Sequence, residues 1–484
     1  MALIDFKFQA GIDKQNTSVG AENRWVDSDN VRFRYGLPEK VGGWASLVTD
    51  TIVGVARAQH AFVDLDGNRY VAIGTDKFLL IYFEGKLHDI TPLKTTLTSA
   101  TIATTNGSPT CTITKTAHGL SAGDIIQLDN VTLPGGTGFS NSDFEDKNFQ
   151  VITVPTTSTF TITQSSNATA TVSTGGSLSI KPFEPVGPRA QSYGYGWGID
   201  TWGTGNWGEA ASASDISLEP GLWSLSNFGE VLIATIGNGK TFTWNAGAGS
   251  PLTTRASTTT SNFQTNNNPT ATRITLTSPT TRHLIHLGTE TTIGNTSTQD
   301  DMFIRFSDRE AINVYTPTAT NTAGSQRLQD GTKIMSAIRS KENILVWTDN
   351  SLYLMKFVGA PFTFGFEQVG TNCGIIGKNA VIQIDGAAFW MSSKGFFLYD
   401  GTVKSLPCSV EDFVYDNFDT TKGQQVYAGL NNLYTEIVWY YPSNGSEYND
   451  KYVVYNYGEG TWYTGTEART TWIDATIYQN PFAT

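Results

Sequence analysis

Several short patterns in this chain carry residue types able to do chemistry. Gly119–Gly123 reads GLSAG with His118 beside it, the spacing of a hydrolase nucleophile elbow. An elbow needs a strand before the serine and a helix after it. The residues that follow, Asp124–Leu128, have a strand pattern instead, so a β-turn is expected here. Asp64–Asn68 (DLDGN) resembles the first half of a calcium loop, but Thr75 occupies the closing position where a bidentate glutamate is required. That segment, too, is expected to be a turn between strands. His283 and His286 fall on opposite faces of a strand, with no third ligand and no helix to bring them together, so they do not predict a metal site.

Two constellations are more suggestive. Asp300, Asp301, Arg305, Asp308, Arg309 and Glu310 surround the apolar stretch Met302–Phe306 and mix both charges. They fit a solvated loop with weak surface pairs, a subunit contact, or the paired carboxylates of a glycan-cleaving propeller. Trp197, Trp202 and Trp207 recur at five-residue intervals, each flanked by glycine, within the stretch 193–208 (YGYGWGIDTWGTGNWG). Glycine lets the backbone pass close to a surface while an indole anchors it. The alternatives are a sugar-stacking platform and an anchoring strap on this chain or a neighbouring subunit, and the strap is favoured because no other sugar-binding constellation accompanies it. The three tryptophans, with Asp300, Asp301, Arg305, Asp308 and Arg309, are therefore expected to be structural or interface residues. No catalytic, cofactor-binding or metal-binding residue is expected, and no enzymatic activity.

The elements that carry these residues are repeated. Val231–Thr235 with Thr241–Asn245, Leu345–Asp349 with Leu352–Phe357, and Ala388–Ser392 with Phe396–Asp400 each read as a hydrophobic strand, a tight turn and an aromatic strand. Tyr70–Gly74 with Phe78–Phe83 is an earlier copy. All four aromatic strands run into a glycine, at Gly85, Gly247, Gly359 or Gly401. The last two glycines are 42 residues apart, the length of one four-stranded propeller blade. Many strands are apolar at consecutive positions, so both faces must be covered, as stacked blades achieve. The best helix candidate is short, Val410–Phe418.

Gly85 and Gly247 lie too far apart for two blades unless something is inserted, and between about Thr96 and Lys181 the composition turns to Thr, Ser and Asn. The expectation is an all-β chain: a β-propeller body of about five or six blades, not necessarily complete, with an inserted small β-sandwich or barrel-like module. Residues 1–95 form an N-terminal arm and the first blades, residues 96–182 the insertion, and residues 183–484 the remaining blades with the tryptophan strap.

Bulk composition agrees. The chain has 484 residues, 57 of them aromatic (26 Phe, 19 Tyr, 12 Trp), and 48 glycines, with only 16% charged residues. Aromatic residues suit pleated, half-buried surfaces, and glycine suits turns. The net charge of −12 has the wrong sign for gripping nucleic acid. Cys111, Cys373 and Cys408 are odd in number and widely spaced, which predicts reduced thiols rather than a disulfide framework or a metal site. No basic start leads into an apolar run, and no apolar stretch is long enough to span a bilayer as a helix, so neither export nor a membrane span is expected.

Taken in order, several stretches resemble the tail nozzle, or tail hub, proteins of short-tailed bacteriophages, the group that includes tail tubular protein B and the packaged-DNA stabilisation proteins. They are Asn30–Trp44 (NVRFRYGLPEKVGGW), the Trp-Gly strap, Gln299–Asp308 (QDDMFIRFSD), Thr322–Gly331 (TAGSQRLQDG), Leu345–Asp349 (LVWTD), Gly370–Gly377 (GTNCGIIG) and Phe389–Gly401 (FWMSSKGFFLYDG). The resemblance implies a structural virion protein in a podovirus-type tail, assembled in the host cytoplasm. It also implies a hexameric ring that bounds the DNA ejection conduit and holds packaged DNA, next to a tail adaptor or connector protein and a fibre or spike. Genomic DNA would pass without sequence-specific binding. The alternative is a carbohydrate-binding or glycan-cleaving propeller of a phage tail or bacterial protein.

Overall fold

A computed structural model describes residues 8–17, 19–189, 219–258 and 268–484. The chain divides into two compact units: Met1–His88 with Val186–Thr254 and Thr258–Thr484, and Asp89–Pro185 with Arg255–Ser257. Strand makes up 46% of the chain and helix 6%, which bears out the all-β expectation. The single α-helix among the described residues, Glu411–Asn417, coincides with the best helix candidate. No helix among the described residues is long and apolar enough to cross a membrane.

In the larger unit, six small sheets are arranged as a six-bladed β-propeller. Blade one comprises Ala56–Val63, Arg69–Thr75, Leu79–Phe83 and Lys86–Asp89. Blade two has three described strands, Trp223–Phe228, Val231–Ile236 and Thr241–Asn245. Blade three runs from Thr272–Thr277 to Gly324–Arg327, blade four from Ile334–Ser340 to Thr363–Gly370, blade five from Val381–Ile384 to Val403–Leu406, and blade six from Tyr427–Asn431 to Thr461–Thr466. Within each sheet the strands follow in sequence order as a meander. Second strands such as Val231–Ile236, Ala387–Ser392 and Glu436–Tyr441 are buried almost throughout, which explains their consecutive apolar residues. Outer strands such as Gly324–Arg327 are mostly exposed and polar.

Adjacent blades meet mainly through their first strands, which places those strands nearest the axis. Indoles fasten the seams. Trp223 in blade two donates Nε1–H to the Thr75 carbonyl in blade one at 2.9 Å, and Trp439 in blade six donates to the Ala380 carbonyl at the start of blade five at 3.0 Å. Between blades four and five, Trp347 and Trp390 meet edge to face at 5.4 Å, and Trp390 donates to the Cys373 carbonyl at 2.8 Å. Trp223, Trp390 and Trp439 thus combine large apolar burial with a satisfied N–H.

The axis is spanned by side chains. Lys378, entering blade five, donates from Nζ to the Trp223 carbonyl in blade two at 2.6 Å. In a six-membered ring these blades are opposite one another, so the lysine crosses the axis. Arg339 of blade four reaches Ser226 Oγ of blade two at 2.8 Å, and Asn379 donates to the Arg57 carbonyl at 2.9 Å.

The smaller unit is one seven-stranded sheet closed on itself. Asn148–Gln150 pairs with Ile125–Thr132 at one edge, while Thr153–Thr156, the continuation of the same segment, pairs with Thr159–Thr163 at the other. The result is a small barrel with Ile102, Ile113, Ile126, Leu128, Phe160 and Ile180 fully buried inside it.

Candidate functional site

Most of the patterns singled out by spacing have structural roles. Ser121 is exposed in a turn whose Gly119 and Gly123 have positive φ, and its N–H is held by Asp124 Oδ2 at 2.9 Å. His118 is buried, and its Nδ1 accepts from Leu120 N at 3.0 Å. Asp64 caps its own turn by accepting from Asn68 N and Nδ2, both at 2.8 Å.

Both ring nitrogens of His286 are engaged, with Tyr315 Oη at 2.9 Å and Thr272 Oγ1 at 3.1 Å. Those of His283 meet Thr281 and Thr322 Oγ1 at 2.7 and 2.9 Å. Burial lowers the imidazoles to about 3 and about 4 respectively, so they are neutral hydrogen-bonding residues of the blade-three core.

The acidic cluster is split by the strand Phe303–Phe306, which holds its two groups roughly 13 Å apart along the chain. At one end Asp300 accepts from Met302 N at 2.9 Å and pairs with Arg327 at 2.6 Å, and Asp301 lies 3.4 Å from Arg273. At the other, Asp308 accepts from Thr322 N and Oγ1 at 2.8 and 2.6 Å and from Arg309 N at 2.8 Å. Burial works to raise the Asp308 carboxyl, but these hydrogen bonds outweigh it and hold the group below the usual range. Arg305 is buried within blade three and donates to the Glu290 and Thr291 carbonyls at 3.2 and 2.8 Å, while Arg309 and Glu310 are exposed. The three aspartates are occupied in tying loops to a blade. Trp197, Trp202 and Trp207 lie outside the described residues.

A large cleft lies elsewhere, where the propeller ring closes. Blades one and six do not meet strand against strand as other neighbours do. The short strand Trp472–Ile473 stands between their first strands, paired with Phe482–Ala483. Trp472 fits against Gly429, where a Cβ would lie 2.6 Å from its Cγ, and donates Nε1–H to the Leu430 carbonyl at 2.8 Å.

Beside this wedge a cleft of about 1510 Å³ opens between two sheet faces. Alternation along blade one puts Gln59, Val71, Ile73 and Tyr82 on one wall, with Gln59 opposite Ile73 and Val71 opposite Tyr82 in register. Blade six supplies the other wall through Val438, Tyr440, Tyr452 and Val454, again as cross-strand pairs. Residues 41–48 and the terminal residues 478–484 complete the lining.

Aromatic rings and ion pairs share these walls. Tyr440 stacks on Trp472 at 6.1 Å and tilts against Tyr452 at 5.8 Å, while Trp44 meets Trp472 edge to face at 5.2 Å. Across the cleft, Tyr82 packs on Phe482 at 5.7 Å and on Tyr478 at 6.1 Å. Glu436 and Arg32, both buried, pair at 2.9 Å, with the Tyr434 ring 3.5 Å from the guanidinium carbon. Burial raises the Glu436 carboxyl, and this outweighs the opposing effects of Tyr463 and Arg32. Burial also raises Glu467, against the pull of Arg469 at 3.2 Å. The Arg469 guanidinium sits over the Trp44 ring at 4.8 Å.

Sequence reading passed over this cleft because its walls come from opposite ends of the chain. The signal that could have found it is the aromatic density between Tyr434 and Tyr463, where tyrosine and tryptophan recur every few residues.

No protein-family model matches the chain, and no curated protein matches it. Distant likenesses exist among solved structures. The phage phi92 endosialidase is 14% identical at a TM-score of 0.24, over 73% of this chain and 55% of that one. A computationally designed protein, Ika8, is 9% identical at a TM-score of 0.35, over 87% and 90% of the two chains. Hsv2 of Kluyveromyces lactis is 9% identical at a TM-score of 0.28, over 85% and 98%. None of these scores carries over what those proteins do.

Proposed function

We propose that this chain is a non-enzymatic structural subunit of a short-tailed phage tail, of the nozzle or hub type, which works as a hexameric ring around the DNA ejection conduit. The observation that carries the reading is the ordered run of resembling stretches and the use the fold makes of them. Gln299–Asp308 and Thr322–Gly331 build the outer half of blade three, Leu345–Asp349 supplies Trp347, Gly370–Gly377 supplies Cys373, and Phe389–Gly401 supplies Trp390. The last three meet in the indole-fastened seam between blades four and five.

Side chains crossing the propeller axis leave no passage for a duplex there, so the conduit runs between copies of the chain. A net charge of −12 suits that role, because a wall that repels phosphates does not hold the moving genome by counterion release. An adaptor ring and a fibre or spike are the expected neighbours.

Native mass spectrometry of the purified protein, with antibody labelling of virions in the electron microscope, tests the reading. A particle of six chains and label at the tail support it. A strict monomer together with label on the capsid shell overturns it.

A further inference from the structure

We infer that the cleft where the propeller ring closes binds a neutral oligosaccharide. The inference is independent of oligomeric state, since every wall residue belongs to one chain.

Other seams are filled directly. Trp223 closes the gap between blades one and two, Trp347 and Trp390 that between four and five, and Trp439 that between five and six. Between blades one and six the same device, Trp472, occupies only part of the gap and leaves about 1510 Å³ beside it, more than a typical small-molecule pocket of about 300–1,000 Å³. An extended ligand fits this volume better than a single small molecule.

The lining selects the ligand class. Tyr440 and Trp472 back one side of the cleft and Tyr82 the other, with Trp44 and Phe482 the more accessible rings. Rings of this kind accept the C–H faces of pyranose sugars. Between them stand groups that match hydroxyls, which both donate and accept: Glu467 with Arg469, and Glu436 with Arg32. Two further side chains in the lining hold acceptor oxygens that have no partner, Gln59 Oε1 and Asn449 Oδ1, and Asn449 is only 1% exposed. A buried ion pair such as Arg32–Glu436 and orphaned amide oxygens are poor choices for stabilising a seam, which an apolar filling would close at least as well. Glu467 and Arg469, which are only half-buried, are the pair placed to exchange hydrogen bonds with a polar ligand.

Competing ligands fit less well. A nucleic acid strand would meet Glu436 and Glu467 on a chain of net charge −12. A lipid tail would meet two ion pairs. A peptide that added to a sheet needs a free strand edge, whereas these walls are sheet faces.

The test is binding of the full chain to an array of neutral and N-acetylated oligosaccharides, with isothermal titration of the best binder against wild type, Trp44→Ala and Glu467→Gln. Trp44 is 41% exposed and Glu467 only half-buried, so both variants are expected to melt with wild type. The expected result is binding of at least one oligosaccharide, weakened tenfold or more by each substitution, with tryptophan fluorescence that responds to ligand in wild type and responds less in Trp44→Ala. No binding across the array overturns the inference. So does binding that neither substitution weakens, which would place the sugar elsewhere on the chain.

Discussion

Trp223 and Thr75 are joined across a blade seam: the indole Nε1–H of one donates to the carbonyl of the other at 2.9 Å, and the Trp223 side chain packs closely against Gly74. Gly74 has no positive φ, so glycine is required there for space rather than for backbone freedom. Gly74→Ala would drive a methyl into the Trp223 ring, and a loss of about 1–3 kcal/mol is expected from overpacking. Trp223→Phe keeps most of the apolar surface but removes the donor, and about 1 kcal/mol is expected to go with it. Urea unfolding of both variants checks the ranking. A Gly74→Ala protein as stable as wild type would mean that the seam is not packed as described.

Three histidines make the propeller sensitive to mild acid. Burial lowers His60 to about 4, His283 to about 4 and His286 to about 3. The folded-state values lie below the unfolded value of about 6.5, so the unfolded chain binds more protons over the intervening window. Stability is therefore full at neutral pH and falls as pH drops below about 6.5, by up to about 1.4 kcal/mol per pH unit for each histidine. His286→Gln keeps a side chain able to bond Tyr315 and is expected to flatten the slope by one proton between about pH 6 and 5. Melting temperature measured against pH decides it, and an unchanged slope would mean that His286 is charged in the folded protein.

How much of this was legible in the sequence depends on how local each feature is. Hairpins repeated from Val231 to Asp400 became the central strands of blades two, four and five, because alternation and turn chemistry act over a few residues. The turn readings of Gly119–Gly123 and Asp64–Asn68 were legible for the same reason. The split of the acidic cluster by the strand Phe303–Phe306 was not foreseen, and the partners that engage it, Arg273, Arg327 and Thr322, lie outside the cluster and carry no motif. The cleft was illegible because it is a property of closure. Arg32 and Glu436 are 404 residues apart, and only the curvature accumulated over six blades brings them within a hydrogen bond.

Lys378 gives the axis a pH dependence of the same sense at higher pH. Burial, reinforced by Arg273, lowers its ammonium to about 7. The unfolded chain keeps a lysine proton up to about 10.4, so it binds more protons than the folded one between those values, and this group's contribution to stability rises as pH rises from about 7 towards 10. Cysteines and tyrosines also titrate in this range, so the informative quantity is the difference between wild type and Lys378→Met. That difference is expected to move in favour of wild type at higher pH. Denaturant midpoints at about pH 7 and pH 9 measure it, and a constant difference would mean that the lysine is solvated rather than held across the axis.

The buried pair of Arg32 and Glu436 should behave asymmetrically on mutation. Arg32→Met leaves a carboxylate in a wall that already raises its pKa by burial, and removal of one partner of a buried pair typically costs about 3–5 kcal/mol. Removal of both, in Arg32→Met with Glu436→Gln, eliminates the uncompensated charge and is expected to recover most of that loss. A carboxyl whose folded pKa is raised favours the folded state when protonated, so the penalty of Arg32→Met is greatest at neutral pH and shrinks as pH falls through the raised value. A double-mutant cycle by urea unfolding at about pH 7 and again near pH 5 separates the outcomes. Coupling that is strong at neutral pH and weaker at the lower pH fits a buried ion pair. Coupling near zero at both would mean that water screens the pair inside the cleft.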